Sequence, residues 1–222
     1  MRRFLLTGFE LYGTTPINPA EQVAKALDGE RIAGAQVTAR IVPNTFFKCI
    51  DHTAAAIAEI DPDVVVLLGE FGGRSMITVE RIAQNLNDCA RYGVADNGDV
   101  VLQDALTAPD GPVAYKSTLP IRAMVRAMRA AGIPSDISDA AGTFCCNHLM
   151  YGILHHIAQR GLAIRAGFVH LPMLPEVAAL DQNLGVPSMS TKTAADGLRA
   201  AFAAIAAHPQ DIDDTLPSRL QA

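Results

Sequence analysis

Short apolar runs alternate with longer amphipathic runs along most of this chain, and this pattern restricts its possible folds most strongly. The short runs predict strands, which are Phe4–Thr7, Gln36–Ile41, Val64–Leu68, Ile77–Ile82, Asp136–Ser138 and Ala166–His170. The longer runs predict helices, which are Ala20–Leu27, Phe46–Glu59, Ile121–Ala131, Asn147–Gln159 and Thr191–Ala206. This alternation favours an α/β fold with a twisted, mostly parallel or mixed central sheet and helices on both faces.

The length of 222 residues suits one such domain, although length alone also allows two small ones. Because we find no linker, low-complexity tract or repeat, we expect one domain over residues 1–222. The tail from Pro209 onward is expected to be frayed or docked on a neighbouring surface. Segment Asn87–Pro112 has little periodicity, and we expect a long irregular loop of the kind that forms lids or binding sites.

Charge and hydropathy exclude several classes of partner. The net charge is −5 with scattered signs, so we expect no nucleic-acid surface and no anionic-membrane surface. Arg122, Arg126 and Arg129 recur at helical spacing, which predicts a solvated helix face. Mean hydropathy is high at +0.19, yet no run reaches the roughly 18 apolar residues that a membrane span needs. The first apolar run stops at Thr7-Gly8, and we interpret it as a strand and not a signal peptide.

The chain has four cysteines, which are Cys49, Cys89, Cys145 and Cys146. None forms a CxxC pair, and without an export signal they indicate free thiols in a reducing, cytoplasmic compartment. Cys145 and Cys146 stand where a predicted strand leads through small residues into a helix, and a helix N-terminus lowers the pKa of a thiol. Either cysteine is a candidate nucleophile; the alternative is that both pack as small hydrophobic residues.

His170 and Glu80 are candidates for the partners of such a thiol. His170 ends an apolar strand before Leu171-Pro172, which places its imidazole at the same rim of the sheet. A nucleophile and base need this geometry, although a histidine there is as often structural. In the predicted strand Ile77–Ile82, Glu80 shares a face with Ile82, so this acid is either functional or held in a salt bridge by a nearby arginine.

Five collinear segments resemble the pyroglutamyl peptidase I family, also called pyrrolidone carboxyl peptidase. They are Leu5-Leu-Thr-Gly-Phe-Glu10 with Asn18-Pro19, Gly72-Gly-Arg-Ser-Met-Ile-Thr-Val-Glu-Arg-Ile-Ala-Gln-Asn85, Gly111-Pro-Val-Ala-Tyr-Lys-Ser-Thr-Leu-Pro120, Ala141-Gly-Thr-Phe-Cys-Cys-Asn-His-Leu-Met-Tyr151 and Gly167–Pro172. The resemblance runs from about Phe4 to Pro172. It implies a phosphorylase/hydrolase-like α/β fold and a cysteine exopeptidase, an omega peptidase that removes N-terminal pyroglutamyl residues through a thioacyl-enzyme.

Matched by motif, the resemblance implies Cys146 as the nucleophile, His170 as the base and Glu80 as the orienting acid, with no metal or other cofactor. It suggests Arg91, with the backbone N–H of Cys146, as an oxyanion donor. It suggests Phe9, Tyr12 and Phe144 as walls of a lactam pocket, and Asn18 as holding either the turn or the substrate. For Phe9 and Phe144 the alternative is core packing. The resemblance also suggests a homo-oligomer, a tetramer, and N-terminal pyroglutamyl peptides as substrates.

The chain departs from the family pattern at several positions near the expected site. Leu11-Tyr12-Gly13 stands where the family usually has Pro-Phe-Gly. Glu70-Phe71 replaces a Gln or Leu followed by Ala, and Cys145 replaces an apolar residue. The loop that holds Arg91 is longer than in the family. Two alternatives to the peptidase therefore stay open. One is a nucleotide or phosphate site in the Gly-rich turn Gly69–Arg74, although no Walker or GxGxxG motif is present. The other is a relative with altered acyl specificity or lost catalysis that binds small molecules or peptides.

Overall fold

The computed structural model describes residues 2–13 and 15–218. The strands in these residues are β1 (Arg3–Phe9), β2 (Arg31–Ile32), β3 (Ala35–Val42), β4 (Val64–Glu70), β5 (Ile77–Glu80), β6 (Ile82–Gln84), β7 (Ala114–Lys116), β8 (Ser135–Ser138) and β9 (Arg165–Leu171). The helices are α1 (Pro19–Leu27), α2 (Lys48–Ile60), α3 (Ile121–Ala130), α4 (Cys145–Arg160), α5 (Pro175–Ala178) and α6 (Thr191–Ala207), with 3₁₀ turns at Ala90–Tyr92 and Asp181–Asn183. None of these described helices is long and apolar enough to cross a membrane.

Seven strands form one sheet in the order β2-β3-β1-β4-β9-β5-β8. Strand β1 pairs in parallel with β3 and β4, β4 with β9, and β5 with β8, whereas β5 runs antiparallel to β9 and β2 to β3. The expected mostly parallel, mixed sheet is therefore confirmed. The carboxyl ends of β1, β4 and β9 lie at one edge of the sheet, which is where open α/β sheets form their sites.

Alternating strand residues build two apolar cores, one on each face of the sheet. On β4, Val66 and Leu68 pack with α1, α3 and α6, whereas Val65 and Leu67 pack with α2 and α4. All four side chains are fully buried, and each stabilises the fold by about 1.5–3 kcal/mol. The helices therefore flank both faces, as predicted, and the second core carries α4 toward the carboxyl ends of the strands.

Most predicted boundaries differ from the structure by one or two residues, and three of the differences bear on the site. The strand predicted over Ile77–Ile82 is two strands: β5 ends at Glu80, and β6 pairs antiparallel with β7 in a separate two-stranded sheet. The helix predicted from Asn147 begins at Cys145. The helix predicted from Phe46 begins at Lys48, because Phe47 takes a left-handed φ of 62° that a helix does not allow.

The tail from 209 to 218 lies along α3 of the same chain. The Asp211 carboxylate accepts hydrogen bonds at 3.0 Å from the backbone N–H groups of Arg122 and Ala123, so it caps a helix whose own N-cap, Pro120, makes no side-chain cap bond. Arg129 donates to the Pro217 carbonyl at 2.7 Å. The three arginines of the predicted solvated face keep 32–47% of their side chains exposed and also bind the tail. Tail residues 219–222 lie outside the described part of the chain.

Candidate active site

Cys146 lies in the first turn of α4, at the edge of the sheet where β4 and β9 end. Gly142 takes a left-handed φ of 83° in the turn that precedes the helix, a conformation that favours glycine. The N-cap residue Phe144 offers no side-chain acceptor to the first N–H groups of α4. These groups and the helix dipole therefore present partial positive charge beside a half-buried thiol.

Gly69 gives this thiol its room. A Cβ at position 69 would lie 2.7 Å from the Cys146 Sγ and 2.8 Å from Phe168, closer than side-chain contacts allow. Gly69 pairs with His170 in the parallel register of β4 and β9. The glycine therefore lets the sulfur approach the end of the sheet at the level of the imidazole.

Glu80 and His170 form a buried pair across β5 and β9. The antiparallel register sets Thr78 opposite His170, so that Glu80, two residues on, lies on the same face. The His170 Nδ1 lies 2.8 Å from the Glu80 Oε1, and both side chains are at most 1% exposed. A carboxylate accepts hydrogen bonds, so we assign the proton to Nδ1, and Nε2 is left as the acceptor that a base needs.

Cys146 and His170 line one cavity of about 260 Å³. The remaining wall residues are Glu70, Phe71, Gly72, Tyr92, Ala141, Gly142, Thr143 and Phe144. A larger cavity, about 480 Å³, lies between α2 and α4, but its walls are mainly alanine, isoleucine and leucine and contain no cysteine. The smaller cavity is therefore the candidate active site, because it joins an apolar wall to a thiol and an imidazole.

The pKa values of Glu80 and Cys146 are shifted in opposite directions. Burial alone would raise the pKa of Glu80, but the hydrogen bond and charge of His170 and the charge of Arg74 hold it below its ordinary value. Burial raises the pKa of the Cys146 thiol, the Glu80 carboxylate raises it further, and Arg74 lowers it. The thiol therefore needs a base to take its proton during attack, and the imidazole on the cavity wall suits that role.

Arg74 is a part of the site that the sequence analysis did not assign. Its Nη1 donates to the Glu80 Oε1 at 2.8 Å, so this carboxylate has both the arginine partner and the histidine partner that were considered as alternatives. Arg74 comes from the Gly-rich turn that was also considered for phosphate binding. Because its guanidinium is bound to Glu80, the turn does not offer it to a phosphate.

Asn147 and His148 fix the helix that bears the thiol. The Asn147 side chain accepts a hydrogen bond from the Gln84 N–H and donates to the Gln84 carbonyl, both at 2.9 Å, and donates to Leu86. The His148 Nε2 accepts a hydrogen bond from the Phe47 N–H at 2.9 Å. Both side chains are fully buried. Their position directly after the cysteines gave no sequence signal for this role, because the bonded partners lie on distant segments.

The expected long loop is irregular apart from one 3₁₀ turn, and hydrogen bonds hold it in place. Asp96 accepts hydrogen bonds from the N–H groups of Phe46, Gly98 and Val100. The loop brings Tyr92 into the cavity wall, a residue that the sequence analysis did not select. Arg91 is exposed, with its guanidinium 5.1 Å from the centre of the Tyr92 ring, and is not among the wall residues of the cavity.

The expected pocket residues divide between wall and support. Phe144 lines the cavity and packs edge-on against Phe46. Tyr12 is half-buried, and burial together with the charges of Glu70 and Cys146 raises the pKa of its hydroxyl. Phe9 is 1% exposed within the core beneath α2 and α4. These positions place Phe144 at the cavity and Phe9 behind it.

Asn18 holds the turn after β1. Its Oδ1 accepts the Ala20 N–H at 2.9 Å as the N-cap of α1, and its Nδ2 donates to the Glu10 carbonyl at 2.9 Å. Both ends of this amide are bonded within the protein, so Asn18 holds the turn, and its expected role toward the substrate stays a prediction. The described residues contain no cluster of three or more His, Cys, Asp or Glu side chains that could hold a metal ion.

The chain is similar to known proteins in both sequence and fold. A family model described as pyroglutamyl peptidase matches residues 2–208. A pyrrolidone-carboxylate peptidase of Mycobacterium tuberculosis is 62% identical over 221 residues, covering 100% of both chains. The crystal structure of pyroglutamyl peptidase I from Bacillus amyloliquefaciens is similar with a TM-score of 0.91 and 35% identity, over 96% of this chain and 100% of that one. The pyrrolidone carboxyl peptidase from Thermococcus litoralis gives a TM-score of 0.91 at 34% identity, over 97% and 100%.

Proposed function

The chain belongs to the pyroglutamyl peptidase family, and from that membership we propose that it hydrolyses the amide bond after an N-terminal pyroglutamyl residue of peptides. It does so as a cysteine peptidase, through a thioacyl-enzyme. The observation that carries the mechanism is the 2.8 Å bond between His170 and Glu80 on the wall of the cavity that also contains Cys146. Glu80, His170 and Cys146 thus supply the orienting acid, the base and the nucleophile that such catalysis requires.

Acylation begins when the Cys146 sulfur attacks the pyroglutamyl carbonyl and His170 takes the thiol proton. Glu80 holds the imidazole in the tautomer with Nε2 free and stabilises the imidazolium that forms. His170 then gives the proton to the leaving amine as the C–N bond breaks, which leaves a thioester on Cys146. In deacylation His170 takes a proton from water as the water oxygen attacks the thioester, and it returns that proton to the Cys146 sulfur as the C–S bond breaks and pyroglutamate leaves.

The negative oxygen of each tetrahedral intermediate needs donors, and each missing donor typically costs about 10²–10³ in rate. We propose the backbone N–H of Cys146, in the first turn of α4, as one donor. We propose Arg91 as the other, supported by its place beside Tyr92, which lines the cavity. No metal or other cofactor enters any of these steps.

The substrate group is a small uncharged lactam, so its pocket needs apolar walls and few polar contacts. We propose Phe144 and Tyr12 as walls. Phe9 supports the wall from the core, and Asn18 holds the turn that carries Tyr12. The cavity of about 260 Å³ has room for one small ring.

We further propose that the enzyme is a single domain over residues 1–222 that acts in the cytoplasm as a homo-oligomer, a tetramer. The free thiols of its four cysteines suit a reducing compartment. Light scattering on the purified protein measures the assembly directly. A mass of four chains agrees with the proposal, and a monomer contradicts this part of it.

The test of the function is cleavage of a pyroglutamyl chromogenic amide by the wild type, Cys146→Ala and Cys145→Ala. We expect the wild type to cleave, Cys146→Ala to lose at least about 10⁴-fold in kcat/KM and Cys145→Ala to keep most activity. Cys145 is the matched control because it is the neighbouring thiol. No cleavage by folded wild type would contradict the proposal. A prolyl amide and other acyl amides would then test for altered acyl specificity through Glu70 and Tyr12.

A further inference from the structure

The Arg74 guanidinium bonds to Oε1 of Glu80, the same carboxylate oxygen that His170 bonds. Only 13% of its side chain is exposed. Besides the 2.8 Å bond to the Glu80 Oε1, it donates to the Thr78 hydroxyl, to the Ser138 hydroxyl at 3.2 Å and to the Ala140 carbonyl at 3.3 Å. It therefore joins β5, which carries the acid, to the segment after β8 that leads into α4.

An aromatic ring connects the same guanidinium to the base. The Arg74 Cζ lies 3.7 Å from the centre of the Phe71 ring, within the range of a cation–π contact. Phe71 meets the His170 ring nearly edge-on, with centres 5.2 Å apart and planes at 87°. Arg74 thus contacts the acid directly and the base through Phe71, without itself lining the cavity.

The charges that face the thiol are mostly unfavourable to a thiolate. The titratable and charged groups around it are Tyr12 after β1, Cys49 on α2, Glu70 on β4, Arg74 after β4, Glu80 on β5, Cys145 on α4 and His170 on β9. Burial, Glu80, Cys49 and Glu70 each raise the pKa of Cys146, and Arg74 lowers it. A fixed positive charge is useful here because an arginine stays protonated at every pH at which the enzyme works.

We propose that Arg74 is a positioning residue for the acid: it holds Glu80 ionised and aimed at His170, and through this pair and its own charge it lowers the pH at which Cys146 reacts. This role is distinct from the triad, because Arg74 touches neither the thiol nor the cavity. The effect of Arg74 on catalysis rests on the proposed function, whereas its effect on the reactivity of the Cys146 thiol does not.

Removing the Arg74 charge should raise the pKa of both Glu80 and Cys146. Without Arg74 the Glu80 carboxylate loses one hydrogen bond and a cation, so protons bind it more readily. The Cys146 thiolate loses a favourable charge, so it forms only at higher pH. Arg74→Met keeps an apolar stem against Phe71 but carries no charge. Arg74→Lys keeps the charge but lacks the planar fork that serves four acceptors.

The test is the rate at which iodoacetamide alkylates Cys146 as a function of pH, measured by mass spectrometry in the full-length Cys145→Ala protein. This background leaves one thiol in the peptide, and no pyroglutamyl substrate is needed. We expect Arg74→Met to raise the midpoint by about 1 pH unit or more, and Arg74→Lys to raise it by less than half as much. The acid limb of kcat/KM should move upward by the same amount.

Arg81→Met is the matched control, because Arg81 follows Glu80 directly but forms a surface pair with Asp139 at 2.9 Å and is 44% exposed. Its midpoint should stay at the wild-type value. An unchanged midpoint in folded Arg74→Met would overturn the proposal, and so would equal shifts in the Met and Lys variants, which would indicate shape and not charge. If circular dichroism finds Arg74→Met unfolded, Arg74→Gln carries the same test while keeping donors for Ser138 and Ala140. If the folded wild type does not cleave pyroglutamyl amides but Arg74→Met still shifts the alkylation midpoint, the proposed function alone is rejected.

Discussion

The two faces of the central sheet differ in what they bury. The core on the face of α1, α3 and α6 is built from aliphatic and aromatic side chains such as Phe4, Leu198 and Phe202. The face of α2 and α4 also buries Glu80, His170 and polar residues of α4. Burying a polar group without a partner costs free energy, and these groups are therefore held in hydrogen bonds. The first face therefore mainly stabilises the fold, whereas the second face holds the reactive groups at some cost in stability.

His170→Ala should give the largest effect and confine it to activity. We expect kcat/KM to fall at least about 10³-fold, because the thiol loses its base, while Glu80 keeps its bond to Arg74. Steady-state kinetics and a thermal melt measure the two effects separately. His52→Ala, an exposed histidine on α2, is the control and should change neither. A His170→Ala enzyme with wild-type kcat/KM would remove the distinction between the faces.

Phe202→Ala should give the converse result on the other face. Phe202 is fully buried and packs edge-on against Phe4 with ring centres 5.7 Å apart. Its truncation should lower the free energy of unfolding by about 3–5 kcal/mol, while kcat/KM per folded molecule stays unchanged. Urea unfolding with active-site titration measures this. Val113→Ala, at an 87% exposed position, should cost less than about 0.5 kcal/mol. A tenfold loss of kcat/KM in Phe202→Ala would show that the two faces are coupled.

Asp211→Ala tests whether the tail contributes to the apolar face. The Asp211 carboxylate caps α3, and its negative charge interacts favourably with the positive end of the helix dipole. Its loss should therefore lower the free energy of unfolding by about 1 kcal/mol. Asp213 is exposed, and Asp213→Ala is the control two residues away. Equal unfolding free energies for the two variants would mean that the cap does not stabilise α3 in solution.

Glu70→Gln should give a small effect that depends on pH. Burial raises the pKa of Glu70 from 4.5 to about 7, and its Oε2 has no hydrogen-bond partner among the described residues. The folded protein binds this proton more tightly, so the stability from Glu70 is complete below about pH 4.5 and is lost as pH rises through about 7. The melting temperature of Glu70→Gln should therefore exceed that of the wild type by an amount that grows between about pH 4.5 and pH 7 and stays constant above pH 7. Glu176→Gln, at an exposed helix position, should show no such trend; a constant difference at every pH would contradict the buried acid.

The sequence predicted the architecture well, because strands such as Val64–Leu68 and helices such as Thr191–Ala206 have clear periodicity over many residues. It did not predict β2 and β7, since two or three residues carry no measurable period. The break after Glu80 was also missed, because Ile82 continues the alternation although it belongs to another sheet.

The site was predictable where a motif or a strand end marks it, as for Cys146 and His170. Arg74 and Tyr92 were missed for a physical reason: their importance lies in contacts that strand register and loop closure create. The Arg74–Glu80 bond depends on how the turn after β4 folds over β5. Tyr92 lies at the cavity in a loop that is bonded to distant segments, by Asp96 to Phe46 and by Asp88 to Thr143. Neither relation has a sequence spacing that distinguishes it from a surface residue.

The central claim is that the polar face of the sheet performs acyl transfer on Cys146. Its most direct test is to quench the enzyme with acid during turnover of a pyroglutamyl amide and to locate the acyl group by mass spectrometry. We predict a pyroglutamyl thioester on Cys146 in the wild type and in Cys145→Ala, and none in Cys146→Ala. An acyl group on any other residue, or turnover that persists in Cys146→Ala, would contradict the claim.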